Sequence, residues 1–413
     1  MSEVVEIPWL FDRHSHPSLY AALAGCPDLS GCTEAEALAL LRALPGDRIS
    51  TVVGWHSSRI PLGPERLAEL PPAILINFSL HGFALTAGAL RRLPPEQAGL
   101  LEHQDDPVWC ERNMERLLVF FGRSAGFTPA KLEAFMRRLQ AAGIGAVEDM
   151  LLSGPEALAV IRDSPWRGRL RCWTTPAIYR TLAAPDQDQV AGLKLFTDGA
   201  LGARTAAMSR PYLGGGDGML TYSAAGLEVE LAAAHPLGKP MAIHAIGERA
   251  VGQVLAALEH LAARQLTFPW VRMEHVQFIT LAQARRAKAL GVILSMQPNF
   301  NSDSEDYADR LPSRELAANN PFRMLLDQAG FHCGEDLIFG SDGMPHGVEY
   351  ALQWSLFPPF PGQRLSVEEL VAGFGLPPEG TGRSTLIVDR ERRTVRLLHS
   401  AADGPAQERG RSC

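Results

Sequence analysis

The sequence of 413 residues has little of what is typical of secreted or membrane-spanning proteins. Its six cysteines form no Cys-x-x-Cys pair, which argues against a disulfide framework and favours a reducing, cytoplasmic location. The N-terminal residues include early acids and lack the apolar core of a secretory signal. The most apolar long stretch, 71–90, is interrupted by proline and polar residues, so we expect no membrane span and no membrane partner.

Basic residues are also in the minority. Lys and Arg number 39 against 46 Asp and Glu, which gives a formal net charge of −7. Because a nucleic-acid groove needs clustered Lys and Arg, we expect no nucleic-acid partner. Hydrophobic residues make up 46% of the chain, which is enough apolar material for a large folded core.

Eight short apolar or β-branched runs end at a polar residue and a turn, and helical patterns separate most of them. Strand and helix repeated eight times predict an α/β fold, a (β/α)8 TIM-type barrel. The ends of these runs were placed partly by their polar residues. The number of predicted strands is therefore not independent of the functional roles suggested for those polar residues below. The runs are 7–14, 143–149, 169–176, 191–197, 240–244, 271–275, 291–296 and 337–342.

We predict that residues 1–362 form the barrel, with an insertion over its mouth at about 18–128. The insertion contains strand-like runs at 50–56 and 72–82, and a helical pattern follows it at 129–143. A polar loop is expected at 299–320. Residues 363–413 are predicted to form a C-terminal helix, a strand-like pair and a tail.

Several residues at predicted strand ends suit metal chemistry. His14 and His16 are two apart in one strand, so both imidazoles can point the same way. His244, His275 and Asp342 end three other runs. Each alone is more readily explained as a structural residue, but the C-terminal ends of barrel strands converge on one face. Together they form a set suited to a first-row metal ion.

Lys194 lies inside an apolar strand, between two leucines. A buried, unpaired ammonium is costly, so the lysine could extend to solvent or pair with a carboxylate. Alternatively its amine has reacted with carbon dioxide to give a carbamate that bridges two metal ions. The residues alone leave these alternatives open.

These residues, in this order, resemble the metal-ligand pattern of the amidohydrolase superfamily. The sequence motifs around them resemble its YtcJ-like, amidohydrolase-3 branch. Family members normally have a longer β segment before the first strand, so we expect the small β-sandwich subdomain to be reduced or absent. The resemblance covers about residues 7–350, and the matching stretches are GLKLFTDGALGARTA (192–206), MAIHAIGERAV (241–251), RMEHVQFI (272–279), SMQPNF (295–300), PFRMLLDQAG (321–330) and FGSDGMPHG (339–347).

The resemblance implies one or two divalent metal ions, with zinc as first choice, although iron and manganese share these ligands. His14, His16 and Asp342 would bind one ion, and His244 and His275 the other, with carbamylated Lys194 between them. Asp342 and His275 are the predicted catalytic residues. Substrate-binding candidates are His81, His346 and Arg249, of which Arg249 is also readily explained as a solvated helix charge.

The implied function is hydrolysis of a C–N bond in a small-molecule substrate, such as a linear or cyclic amide or an N-acyl or N-formyl compound. Water activated by the metal would attack, and Asp342 would act as general base and then acid. A deaminase of a heterocyclic amidine is the alternative enzyme, and a non-catalytic binding protein on the same barrel is a remote one. A homodimer remains open.

Overall fold

The structure, a computed structural model, describes residues 2–55, 59–77, 82–93 and 106–402. Its strands are β1 (Ser2–Pro8), β2 (Leu10–Ser15), β3 (Ser50–Trp55), β4 (Ala73–Asn77), β5 (Phe83–Leu85), β6 (Ile144–Asp149), β7 (Leu170–Thr174), β8 (Val190–Phe196), β9 (Met241–Ala245), β10 (Val271–His275), β11 (Ile293–Met296), β12 (Leu337–Phe339), β13 (Gly382–Asp389) and β14 (Thr394–Ala402).

The α-helices follow the same order along the described chain. They are α1 (Pro17–Leu23), α2 (Glu34–Arg42), α3 (Pro64–Glu69), α4 (Ala87–Leu90), α5 (Pro107–Arg112), α6 (Met114–Ala125), α7 (Pro129–Ala141), α8 (Pro155–Arg162), α9 (Pro176–Thr181), α10 (Ala184–Gln187), α11 (Ala224–Ala234), α12 (Glu248–Ala263), α13 (Leu281–Ala289), α14 (Asp303–Asp306), α15 (Ser313–Ala318), α16 (Phe322–Asp327), α17 (Val348–Leu356) and α18 (Val367–Phe374). Within the described ranges, each helix is too short or too polar to cross a bilayer.

Eight strands form the predicted barrel, which confirms the fold class. They pair in the order β2, β6, β7, β8, β9, β10, β11 and β12, and every neighbouring pair is parallel. Hydrogen bonds from backbone N–H groups just after the last strand then join it to the first strand. The Asp342 N–H donates to the His14 carbonyl oxygen over 2.7 Å, and the Ser341 N–H donates to the Asp12 carboxylate over 2.8 Å.

The main core lies between the barrel and its helices. Helix α12 shows why its sequence is helical, because its buried residues recur at spacings of three and four and so share one face. Its polar residues occupy the opposite face. The buried residues of this helix are Ala250, Val251, Val254, Leu255, Ala257, Leu258 and Leu261. Apolar strand residues such as Ile243 and Met273 belong to the same core.

Two elements differ from the sequence prediction. The first run, 7–14, is not one strand: residues Ser2–Pro8 form β1, and the barrel strand is Leu10–Ser15. β1 pairs antiparallel with β13, which pairs antiparallel with β14, so the reduced β subdomain is one three-stranded sheet. The expected polar loop 299–320 contains the short helices α14 and α15.

The insertion has a small sheet of its own. β3 and β4 are parallel, and β5 pairs antiparallel with β4. A separate apolar cluster that includes Ile74, Phe83 and Phe121 packs this sheet against α6. The division of the chain at residue 362 stays a prediction, as do the cytoplasmic location and the homodimer.

Barrel closure predicts one sensitive glycine. A Cβ added at Gly340, just after β12, would lie 2.3 Å from the His14 backbone nitrogen. Gly340→Ala should therefore push β12 from β2 and lower the free energy of unfolding by about 1–3 kcal/mol. Gly362→Ala is the matched control, because a Cβ there meets nothing within 4 Å. Urea denaturation of both variants measures the difference, and equal stabilities would contradict this account of closure.

Candidate metal centre and catalytic pocket

The six side chains predicted as metal ligands line one cavity at the C-terminal ends of the barrel strands. Since these strands are parallel and adjacent, their ends meet on the same face of the barrel. The six come from five strands or the turns that follow them: His14 and His16 from β2, Lys194 from β8, His244 from β9, His275 from β10 and Asp342 after β12.

Three of the six form a compact group. One ligand atom each from His14, His275 and Asp342 lie within 4.8 Å of one another. The Asp342 Oδ1 atom is 3.6 Å from His14 Nε2 and 3.3 Å from His16 Nε2. A single divalent ion needs nitrogen and oxygen donors converging at this scale, so the group fits a metal ion.

The remaining ligands adjoin this group. The ring centroids of His275 and His244 are 4.6 Å apart, and those of His275 and His14 are 4.7 Å apart. The Lys194 Nζ atom is buried without a hydrogen-bond partner among the described residues, and lies 5.0 Å from the centroid of the Phe196 ring. Because buried polar atoms are normally satisfied, this amine fits a position where a further group binds.

Burial sets the protonation of the ligands. It lowers the pKa of His14 to about 4, aided by the positive charge of Lys194, and it lowers the pKa of His275 well below its usual value. Both imidazoles are therefore neutral near pH 7, the form that binds metals. Burial also lowers the pKa of Lys194 to about 8. For Asp342, burial alone would raise the pKa, but the neighbouring His14 and His16 hold it well below its usual range.

The backbone at two of the ligands departs from extended geometry. His275, Val276 and Asp342 have φ values of 70°, 42° and 56°, in the left-handed region that side chains other than glycine rarely adopt. Such strain concentrates at functional sites, where the surrounding structure holds it in place. Here the Asp342 N–H bond to the His14 carbonyl fixes the turn after β12.

Two polar side chains and one backbone carbonyl orient the imidazoles. Glu274 Oε2 lies 2.6 Å from His14 Nδ1, and Gln297 Oε1 lies 2.8 Å from His275 Nδ1. In both rings this leaves Nε2 for the cavity. The Gly199 carbonyl oxygen lies 3.1 Å from His244 Nε2. Hydrogen bonds of this kind fix the tautomer and orientation of metal-binding histidines.

Strand alternation predicts Glu274 on the face away from His275, with a packing or ion-pair role, and does not predict its contact with His14. The positive φ of His275 takes that residue out of the alternation, so both side chains serve the site. Glu274 also contacts Arg272, which donates to Glu148 over 2.8 Å. All three are fully or almost fully buried. The sequence feature that could have pointed to this role is the presence of two charged residues, Arg272 and Glu274, two positions apart in a five-residue barrel strand.

The outer wall of the cavity was also not predicted. It is mainly apolar, and α1, α6 and the segments after β8, β11 and β12 contribute to it. Glu111 from α5 and Asp303 from α14 are acidic members of this wall. The apolar side chains include Leu19, Met114, Leu118, Phe300 and Met344.

Two of the three predicted substrate-binding residues, Arg249 and His346, are not brought to this wall. Arg249 pairs with Asp217 over 2.6 Å, and is not among the described residues that line the cavity. His346 lies behind Tyr20, bonded to Ser15 Oγ over 2.7 Å, in a neighbouring cavity. His81 lies outside the described residues.

The chain is similar in sequence to known proteins over part of its length. The YtcJ protein of Bacillus subtilis, described as a putative amidohydrolase, is 32% identical over 139 residues, which are 33% of this chain and 26% of that protein. The protein LONG AFTER FAR-RED 3 of Arabidopsis thaliana is 31% identical over 163 residues, 37% of this chain and 26% of that one. The matches thus span about a quarter of each curated relative.

Two crystal structures have a similar fold. Both are uncharacterized metal-dependent hydrolases, one from Pyrococcus horikoshii (TM-score 0.66, 22% identity, covering 89% of this chain and 80% of that one) and one from Pyrococcus furiosus (0.63, 23%, 93% and 87%). A family model described as "Amidohydrolase family" matches residues 129–352, which is more than half of the chain and includes Lys194, His244, His275 and Asp342. The chain therefore belongs to the amidohydrolase family, in its YtcJ-like, amidohydrolase-3 branch.

Proposed function

We propose that this protein hydrolyses a C–N bond of a small molecule, such as a linear or cyclic amide or an N-acyl or N-formyl compound, with the help of one or two divalent metal ions. The observation that carries the proposal is the convergence of His14, His275 and Asp342 within 4.8 Å. Three neutral or anionic donors gathered from separate strands in a buried cleft are costly to assemble without a cation.

His14, His16 and Asp342 would hold one ion, and His244 and His275 the other. Zinc is the first choice because nitrogen and carboxylate donors suit it. When bound, such an ion supplies Lewis acidity, which makes water a better nucleophile near neutral pH and polarises a carbonyl oxygen.

Lys194 is proposed to join the two sites as a carbamate. In that reaction the neutral amine nitrogen bonds to the carbon of carbon dioxide and loses one proton. Burial favours the neutral amine by lowering the pKa of Lys194 to about 8, so part of it is reactive at neutral pH. The resulting anion would stabilise a cation beside His275 and His244. This lysine favours C–N bond hydrolysis over the amidine deaminase.

The protein's own proton carrier would be Asp342. Its carboxylate would accept a proton from the attacking water as a C–O bond forms, and would pass that proton to the leaving nitrogen as the C–N bond breaks. The products are a carboxylic acid and an amine. His16 Nε2, 3.3 Å from Asp342 Oδ1, orients the carboxylate. The apolar wall around Leu118 and Phe300 limits the access of bulk water.

Asp342→Asn tests this proposal, because an amide side chain cannot carry the proton. We expect kcat for amide hydrolysis to fall by about 10²–10⁴. A panel of N-acyl amines and aminated heterocycles, scored for amine or for ammonia release, measures the rate and separates amidase from deaminase. Asp327→Asn, on the exposed side of α16, is the control and should keep the wild-type rate. Full turnover by chelator-treated protein, or by Asp342→Asn, would contradict the proposal.

Glu274→Gln tests the orientation of His14. The neutral amide weakens the charge-assisted hydrogen bond to Nδ1, so metal affinity should fall by about 10- to 100-fold. Competition titration with a chromogenic chelator measures this affinity independently of turnover. Glu259→Gln is the control: Glu259 lies on α12 and forms a part-exposed ion pair with Arg286 of α13, so the affinity should be unchanged. Equal affinities in all three proteins would show that Glu274 has no part in ordering the ligand.

A further inference from the structure

The charges on the cavity wall restrict the substrate. We infer that this site takes an amide with a bulky apolar substituent and no negative charge, and that Asp303 on the wall discriminates against amides that carry a carboxylate. The inference rests on the proposed function, since it names the substrate class of the same site.

Carboxylate recognition normally needs a cation. A guanidinium binds a carboxylate through two parallel hydrogen bonds, and a lysine ammonium binds it as a point charge. Among the described residues that line the cavity, Lys194 is the sole Lys or Arg, and it lies at the barrel end of the cavity, fully buried among the proposed metal ligands. The sequences of 56–58, 78–81 and 94–105, which belong to the insertion, contain neither Lys nor Arg.

The neighbouring cavity does contain an arginine, Arg138. Tyr20 and Met344 line both cavities, so these two side chains separate them. Arg138 therefore does not share the wall of the cavity that holds the proposed metal ligands. Tyr20 lines the same cavity as His275, whereas Arg138 lines the neighbouring one.

Besides Asp198 and Asp342 at the barrel end, two carboxylates of the outer wall face the cavity from opposite parts of the fold. Glu111, from the insertion, accepts a hydrogen bond from Thr205 Oγ1 over 3.0 Å. Asp303, after β11, accepts one from Gln277 Nε2 over 2.8 Å. These bonds fix both carboxylates in place. At this outer wall, away from the proposed metal ions, a substrate carboxylate would leave water for an apolar surface beside acidic side chains, which is unfavourable.

The remaining wall suits an apolar group. Leu19, Met114, Leu118 and Phe300 surround the space above the proposed ligands, and this apolar lining suits an aromatic or branched aliphatic substituent. Removal of such a group from water supplies binding free energy without any charge. The combination of apolar contact and anionic wall thus favours neutral amides.

A matched pair of substrates tests the inference. N-acetylphenylalaninamide and N-acetylphenylalanine have nearly the same size and differ in charge, and acetate release reports cleavage of the same bond in both. With zinc-loaded protein at about pH 8.5, where Asp303 is ionised, we expect kcat/KM to favour the neutral compound by about tenfold or more. Burial raises the pKa of Asp303 to about 7, which sets this choice of pH.

Asp303→Asn removes one wall charge without loss of volume. It should raise kcat/KM for N-acetylphenylalanine by about threefold or more, because the repulsion of the anion falls. The ratio of kcat/KM for N-acetylphenylalaninamide to that for N-acetylphenylalanine should therefore decrease. Asp306→Asn is the matched control, since Asp306 belongs to the same helix α14 but is exposed and is not among the described cavity-lining residues. It should leave the ratio unchanged. A preference for N-acetylphenylalanine, or equal rates for the pair, would overturn the inference.

Calorimetric titration of both compounds separates this inference from the proposed function. Absence of acetate release from either compound would count against the proposed amide hydrolysis alone. Tighter binding of N-acetylphenylalaninamide, with the difference reduced in Asp303→Asn, would still support the charge selectivity. Equal binding of the two compounds, stronger binding of the anion, or no binding of either would overturn it.

Discussion

The hydrogen bond from the Asp342 N–H to the His14 carbonyl is the contact on which the site depends. It joins the end of the last barrel strand to the end of the first, over 2.7 Å, and it connects two residues 328 positions apart in sequence that both point into the cavity. The contact that closes the barrel therefore also brings the proposed ligands His14 and Asp342 together. The left-handed backbone of Asp342 is tolerated because this bond and the Asp12–Ser341 contacts hold the turn in place.

A chain of buried charges inside the barrel supports the same point. Glu148, Arg272 and Glu274 follow one another in alternating sign and end at His14 Nδ1. Each charge has a partner of opposite sign, so the low dielectric of the interior is tolerated. The chain ends on a neutral imidazole whose other nitrogen faces the cavity. The polar interior of the barrel thus orients a proposed ligand in addition to filling space.

Much of the fold was predictable because short apolar strands alternate with amphipathic helices. The run 271–275 coincides with β10, and the other barrel runs from the second onward begin or end within a few residues of the observed strands. The first run failed because Trp9 separates two strands that belong to different sheets. Pairing between β1 and β13 joins residues more than 370 positions apart, and local patterns carry no signal for such contacts.

The candidate site was predictable to the extent that its residues end strands. His244 and His275 could be placed because parallel strand ends share one face. Glu274 could not, because strand alternation places it opposite His275, and the sequence does not show that the positive φ of His275 departs from this alternation. The wall residues Glu111 and Asp303 could not either, since they lie in the insertion and in a segment expected to be a loop. The curated relatives match only a quarter of their own length, so the proposed substrate class is argued from this cavity and not from them.

Anomalous X-ray diffraction from crystals of the zinc-loaded protein, recorded on both sides of the zinc absorption edge, measures the central claim most directly. The account predicts an anomalous peak within about 2.0–2.2 Å of His14 Nε2 and of an Asp342 carboxylate oxygen. It also predicts density for a carbamate at the end of Lys194. Anomalous peaks confined to other parts of the molecule, with the cavity between His14 and His275 filled only by water, would contradict it.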